Sequence, residues 1–148
     1  MTLTLRRSRS PFEVGVLLAL GVLSIVSAVF FDQAATFTAR QLPEPLGHIM
    51  YAGTAVAAGV ALTGVWWRHD IAGLLIERIG LISLASWTLG YGLAVLAVSG
   101  ARGIQFGGYM GAVAAMALVR AWQIGREARE LSLVAGAAQR LKDESEGA

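Results

Sequence analysis

Glu77 and Arg78 stand side by side in GLLIERIGLISLASWTLGYG, residues 73–92, a run otherwise free of charge. A carboxylate in such a setting can carry a proton or hold a small cation, and intramembrane ionisable groups are where pumps and exchangers do that work. Helical spacing adds Trp87, Thr88 and Tyr91 to the same side, the set a small transporter or channel would use. His48 and His69 sit near the ends of apolar runs on opposite sides, so they cannot share one metal ion. The chain has no cysteine, which excludes disulfides, thiolate metal sites and thiol redox chemistry. No nucleophile has a nearby base, and the glycine-rich GIQFGGYMG opens an apolar segment rather than following a strand. The expectation is therefore no enzyme, no cofactor and no metal.

These residues must be positioned by helices in lipid. Of the 148 residues 55% are hydrophobic and 15% charged, well outside the balance of a soluble domain. The apolar residues form four blocks, at about 12–31, 46–67, 71–98 and 104–124, each near the ~20 residues that cross a bilayer as helix. The expected fold is all-α: an antiparallel bundle of four transmembrane helices over residues 11–124. A basic cytoplasmic N-terminus (1–10) precedes it, and a charged cytoplasmic tail (125–148) carrying a short helix follows. The first block, preceded by RRSRS, is longer than a signal peptide's apolar core and reads as a retained span.

Charge sets the orientation. With both termini inside, ten of the twelve Lys and Arg residues fall on the cytoplasmic side, as the positive-inside rule demands. The basic residues border apolar blocks, so the bilayer is the expected partner and nucleic acid is not. Trp66, Trp67 and Trp122 are expected as anchors at the membrane interface.

The insertion energy decides the place of Glu77 and Arg78. Ile79–Val98 holds nine strongly apolar residues worth about −4 to −5 kcal/mol, whereas two charges at the bilayer centre cost about +5 to +7. The pair is therefore expected at the cytoplasmic interface. Adjacent helical residues point about 100° apart, so each seeks its own partner: Glu77 pairs with Arg120 or Arg68, and Arg78 snorkels to headgroups. Glu13 follows Ser10 as S-x-x-E with Pro11 between, a capping-box pattern that gives its carboxylate a local role at the helix start. Small multidrug transporters also carry a glutamate in the first of four spans, but deep in the membrane and in a motif that PFEVGVLLALG does not match.

Small residues recur at helical spacing: Gly53, Ala57 and Ala61 in span two; Ser83, Ser86, Gly90, Ala94 and Ala97 in span three; Gly107, Gly111 and Ala115 in span four. Such stripes let helices approach closely in lipid, within one bundle or between copies in a homo-oligomer. In the tail Leu131, Val134, Ala138 and Leu141 follow a 3, 4, 3 spacing that suits an amphipathic helix and a protein partner at 125–148.

With GLLIERIGL (73–81), YG (91–92) and RAWQIGREAREL (120–131), the chain resembles small four-span membrane proteins of actinobacterial bacteriophages; the use of Arg over Lys suits a GC-rich genome. The resemblance implies a protein of the host inner membrane, holin-like or lysis-accessory, acting by self-association. Holin genes often carry two close starts, whereas the methionine after Met1 is Met50. A membrane adaptor with a partner-binding tail and a small transporter or channel are the other expectations.

Overall fold

The computed structural model describes residues 11–34, 40, 42–43, 45–67 and 71–146, with no strand among them. Helix α1 spans Pro11–Val29 and the single turn α2 spans Phe31–Ala34. Three long helices follow: α3 at Leu46–Trp66, α4 at Ile71–Ser99 and α5 at Ile104–Glu146. Pro11 opens α1 where its fixed φ and missing N–H cost nothing. A 3-10 turn over Gly100–Gly103 joins α4 to α5. The reversal depends on Gly100, whose φ of 54° lies in the left-handed region that a side chain disfavours.

Neighbours in sequence are neighbours in space: α1 packs on α3, α3 on α4, and α4 on α5. Each pair is antiparallel. Along α3 and α4, Gly53 meets Trp87, Ala61 meets Gly80, Gly64 meets Glu77 and Trp67 meets Gly73, one rank rising as the other falls. Along α4 and α5 the same holds from Gly92–Gly107 to Arg78–Gly125. By length and composition two helical stretches can cross a membrane, Leu46–Trp66 and Ile71–Val134, while the apolar part of α1, Glu13–Val29, is shorter. The second stretch folds back on itself at Gly100–Gly103, so its two arms are α4 and α5.

The bundle buries mainly small residues and leaves many of its large apolar ones outside. Its centre is dominated by alanine, with Ala57, Ala58, Ala61, Ala85, Ala114 and Ala121 almost fully buried. Large apolar residues face outward on every long helix, among them Leu23, Val56, Ile79, Leu93, Met116 and Val119. In water, exposed side chains of that size would each forfeit burial that stabilises a fold. In lipid that drive is absent, and close backbone approach over small residues holds helices together instead. Hydroxyls satisfy themselves locally: Thr54, Thr63, Ser86 and Thr88 each donate to the carbonyl four residues back. The outward Thr63 and Ser86 thus require no water.

The small-residue stripes divide between two surfaces. Gly53, Ala57 and Ala61 do face α4, and Gly107 lies against Leu96 and the Gly92 carbonyl. Ser83 instead lines an open apolar groove between α3 and α4 that Trp87 borders. Ser86 and Ala115 are exposed, and side chains at Gly90 or Gly111 would meet open space. Within the protomer, then, Ser83 borders the α3–α4 groove, while Ser86, Gly90, Gly111 and Ala115 point away from neighbouring helices. The glycines that bring α4 against α3 are Gly64, Gly73 and Gly80, where a Cβ would overlap the opposite backbone. The tail is corrected: it is no separate short helix, since α5 runs unbroken to Glu146. Gly125 and Gly136 cost only about 1 kcal/mol each in a helix, too little to break one rich in Ala, Arg, Glu and Leu. Val134 is 59% exposed; the side chains of Leu131, Ala138 and Leu141 lie outside the described residues.

Candidate functional site

The charges of the described helices lie outside their long apolar stretches. From Ile79 to Ser99 α4 has none, a belt of about 30 Å at 1.5 Å per residue. At its edge, close Gly64–Glu77 and Gly80–Ala61 contacts press α4 on α3. That register turns the Glu77 side chain into the bundle, where it is only 1% exposed. Counting from Glu77 in steps of three and four gives Gly80, Leu84, Thr88, Tyr91 and Val95, all buried. The carboxylate thus lies on the same face as the core.

Arg120 of α5 meets it there. Its Nε donates to Glu13 Oε1 at 2.6 Å, and its Nη2 lies 3.5 Å from Glu77 Oε1. The first is a short charge-assisted hydrogen bond; the second is at the outer limit of one and acts mainly as an ion pair. One guanidinium therefore ties α1, α4 and α5 together. Glu13 and Arg120 keep 23% and 20% exposure at their side chains, so this half is partly screened, whereas Glu77 is not.

Of the two expected partners of Glu77, Arg120 is in place and Arg68 lies outside the described residues. Glu13 is corrected from a purely local cap to a tertiary ligand of Arg120; Ser10, the other half of the capping box, is outside the described residues. The interfacial placement is also refined. Glu77 lies level with Gly64, two to three residues inside Trp66 and Trp67, and is enclosed by protein. Those two tryptophans and Trp122 are 68%, 59% and 61% exposed, and all three belong to this end of the bundle.

The transport set does not converge. Glu77, Thr88 and Tyr91 share the buried face, but Leu81, Leu84 and Ala85 fill the space between Glu77 and Thr88. Thr88 spends its hydroxyl on the Leu84 and Ala85 carbonyls, and Trp87 turns to the groove. Among the described residues no group of three His, Cys, Asp or Glu side chains could hold a metal ion. His48 stacks on Phe31 with ring centroids 3.9 Å apart, and His69 is outside the described residues.

The opposite end is held by rings. Tyr51 and Tyr91 share a hydroxyl–hydroxyl hydrogen bond of 3.2 Å, and Tyr91 meets Phe106 edge to face. Replacing either tyrosine by Phe should cost about 1 kcal/mol, and replacing both should cost less than the sum. Full additivity in detergent unfolding would show that the two hydroxyls do not depend on each other.

Comparison with protein-family models, with curated proteins and with solved structures finds no match to this chain. Function must therefore be argued from the geometry. Sequence reasoning missed the tertiary role of Glu13 and the close approach at Gly64, Gly73 and Gly80. A signal for the glycines was present: a carboxylate in an apolar helix must face its partner, and that face runs through Gly73, Glu77 and Gly80.

Proposed function

We propose that this chain is a four-span integral membrane protein of the bacterial inner membrane, with both termini cytoplasmic, which acts by assembling with copies of itself. Support for the four spans comes from the outward apolar band on all the long helices, α1 included. Its 19 residues cover about 28 Å, close to the thickness of the hydrocarbon core. The observation that carries self-association is the outward face of α4 and α5, where Gly90, Gly108 and Gly111 meet nothing within 4 Å. A glycine inside a helix costs about 1 kcal/mol relative to alanine and gains nothing there within one protomer. Against a neighbouring copy the same glycines allow close contact.

The holin-like effect, opening the host membrane late in a phage infection, is the form of action we assign to such assemblies. In inducible bacterial expression it predicts an abrupt fall of membrane potential. Steady growth with full potential and normal protein levels would rule it out. Gly90→Leu with Gly111→Leu should leave the folded protomer intact and reduce cross-linked oligomers severalfold; an unchanged oligomer ladder would sink the outward stripe as an interface.

One observation favours a second reading, a membrane adaptor. Helix α5 continues past Ile124, its last fully buried residue among those described, for roughly 33 Å at 1.5 Å per residue. It carries Leu133 and Val134 exposed. Under this reading removal of residues 132–148 abolishes activity without changing membrane potential or insertion.

A further inference from the structure

Arg78 is the charge that the Glu13–Arg120–Glu77 cluster leaves over. Its side chain leans toward the N-terminal end of α4, as helical side chains do, and crosses to α5. There Cζ, Nη1 and Nε lie 3.2, 3.3 and 3.4 Å from the point where a Gly125 side chain would begin, so the guanidinium rests face-on over that glycine. Its Nε is buried without a hydrogen-bond partner. Among the described residues Arg78 forms no ion pair, because Glu77 points about 100° away toward Arg120. Next along α5, Arg126 is exposed, with its Cζ 5.2 Å from the centre of the Trp122 ring.

A guanidinium partly enclosed by apolar helices without an anion is costly. The place where it lies suggests the missing anion. Gly125 is about 9 Å beyond Val119 at 1.5 Å per residue, where the charge-free part of α5 ends. With the bundle in a bilayer, that is the depth of headgroup phosphates, which lie just outside the ~30 Å hydrocarbon core. A planar fork of N–H donors matches two phosphate oxygens at once, and the exposed Arg126 beside it favours a lipid with net negative charge over a zwitterion.

We propose that the α4–α5 crevice at Arg78 and Gly125 binds the phosphate of an anionic phospholipid. The proposal rests on the membrane placement above and not on self-association. The test uses the full chain, purified in a maltoside detergent, stripped of lipid and titrated with phosphatidylglycerol or phosphatidylcholine. Bound lipid is read by native mass spectrometry and by thermal stability. Wild type should retain phosphatidylglycerol in preference to phosphatidylcholine, and Arg78→Gln should weaken that retention roughly tenfold or more, as expected for loss of a charge-assisted pair. Arg78→Lys, keeping a point charge without the fork, should fall between.

Equal retention by Arg78→Gln and wild type overturns the site. So does a wild type indifferent to headgroup, a comparison that needs no variant to fold. Free glycerol phosphate should not displace the lipid; displacement at similar concentration would assign the crevice to a soluble phosphate instead. A chain that stays monodisperse without detergent would fail at the earlier step, the membrane placement itself.

Discussion

Arg120→Leu is expected to destabilise the bundle by about 3 kcal/mol, because it strips Glu77 of a counter-charge in an enclosed site. The figure sits at the lower end for a broken buried pair because Arg120 is 20% exposed and its bond to Glu13 is partly screened. Glu13→Gln, which leaves the Arg120–Glu77 pair, should cost about 1 kcal/mol. The decisive comparison is the double variant Glu77→Leu with Arg120→Leu. Apolar residues in place of a buried pair are often neutral or stabilising, so it should recover most of the stability lost by Arg120→Leu alone. Unfolding in mixed detergent and SDS micelles measures these proteins together with the single variant Glu77→Leu. A double variant as unstable as the sum of its parts would mean that the charges do not act as a unit.

An equally large effect should come from side chains placed where helices touch backbone to backbone. Gly64→Val and Gly80→Val each drive a branched side chain into the facing helix, toward Glu77 and Ala61, with contacts closer than 3.0 Å. Nothing flexible stands there to move aside, so α3 and α4 must separate. The expected loss is at least about 3 kcal/mol per site, large against the total stability of a small domain, and folded protein should be scarce in membranes. Gly111→Val, a similar change at a site with no neighbour within 4 Å, is the control and should give normal yields. Equal yields for all three would show that α3 and α4 are not in the contact described. The two predictions meet at one place: Gly64 brings α4 in, and Glu77 is buried because of it.

Where α4 ends and α5 begins was legible from the chain alone. The third and fourth apolar blocks, read as 71–98 and 104–124, correspond to α4 ending at Ser99 and α5 starting at Ile104. Gly100 and Gly103 interrupt an otherwise continuous apolar pattern and leave little choice of turning point. Glu77 seeking Arg120 was legible too, since a carboxylate beside hydrocarbon must find a cation and few were available.

Which face of each helix turns inward was not legible from the small-residue stripes. Ser83, Ser86, Gly90, Ala94 and Ala97 recur at helical spacing as regularly as Gly73, Glu77, Gly80, Leu84 and Thr88, yet only the second series is buried throughout. A helix apolar all round carries no hydrophobic stripe to choose between them. The sequence by itself determined that this is a chain of apolar helices with its charges at their ends, because composition and block length follow from the solvent each residue must meet. Only the tertiary structure decided that Glu13 joins Arg120, that Gly64 faces Glu77 and that Arg78 crosses to Gly125. Those are meetings between helices, and their register depends on how closely two backbones can approach rather than on any periodicity within one of them.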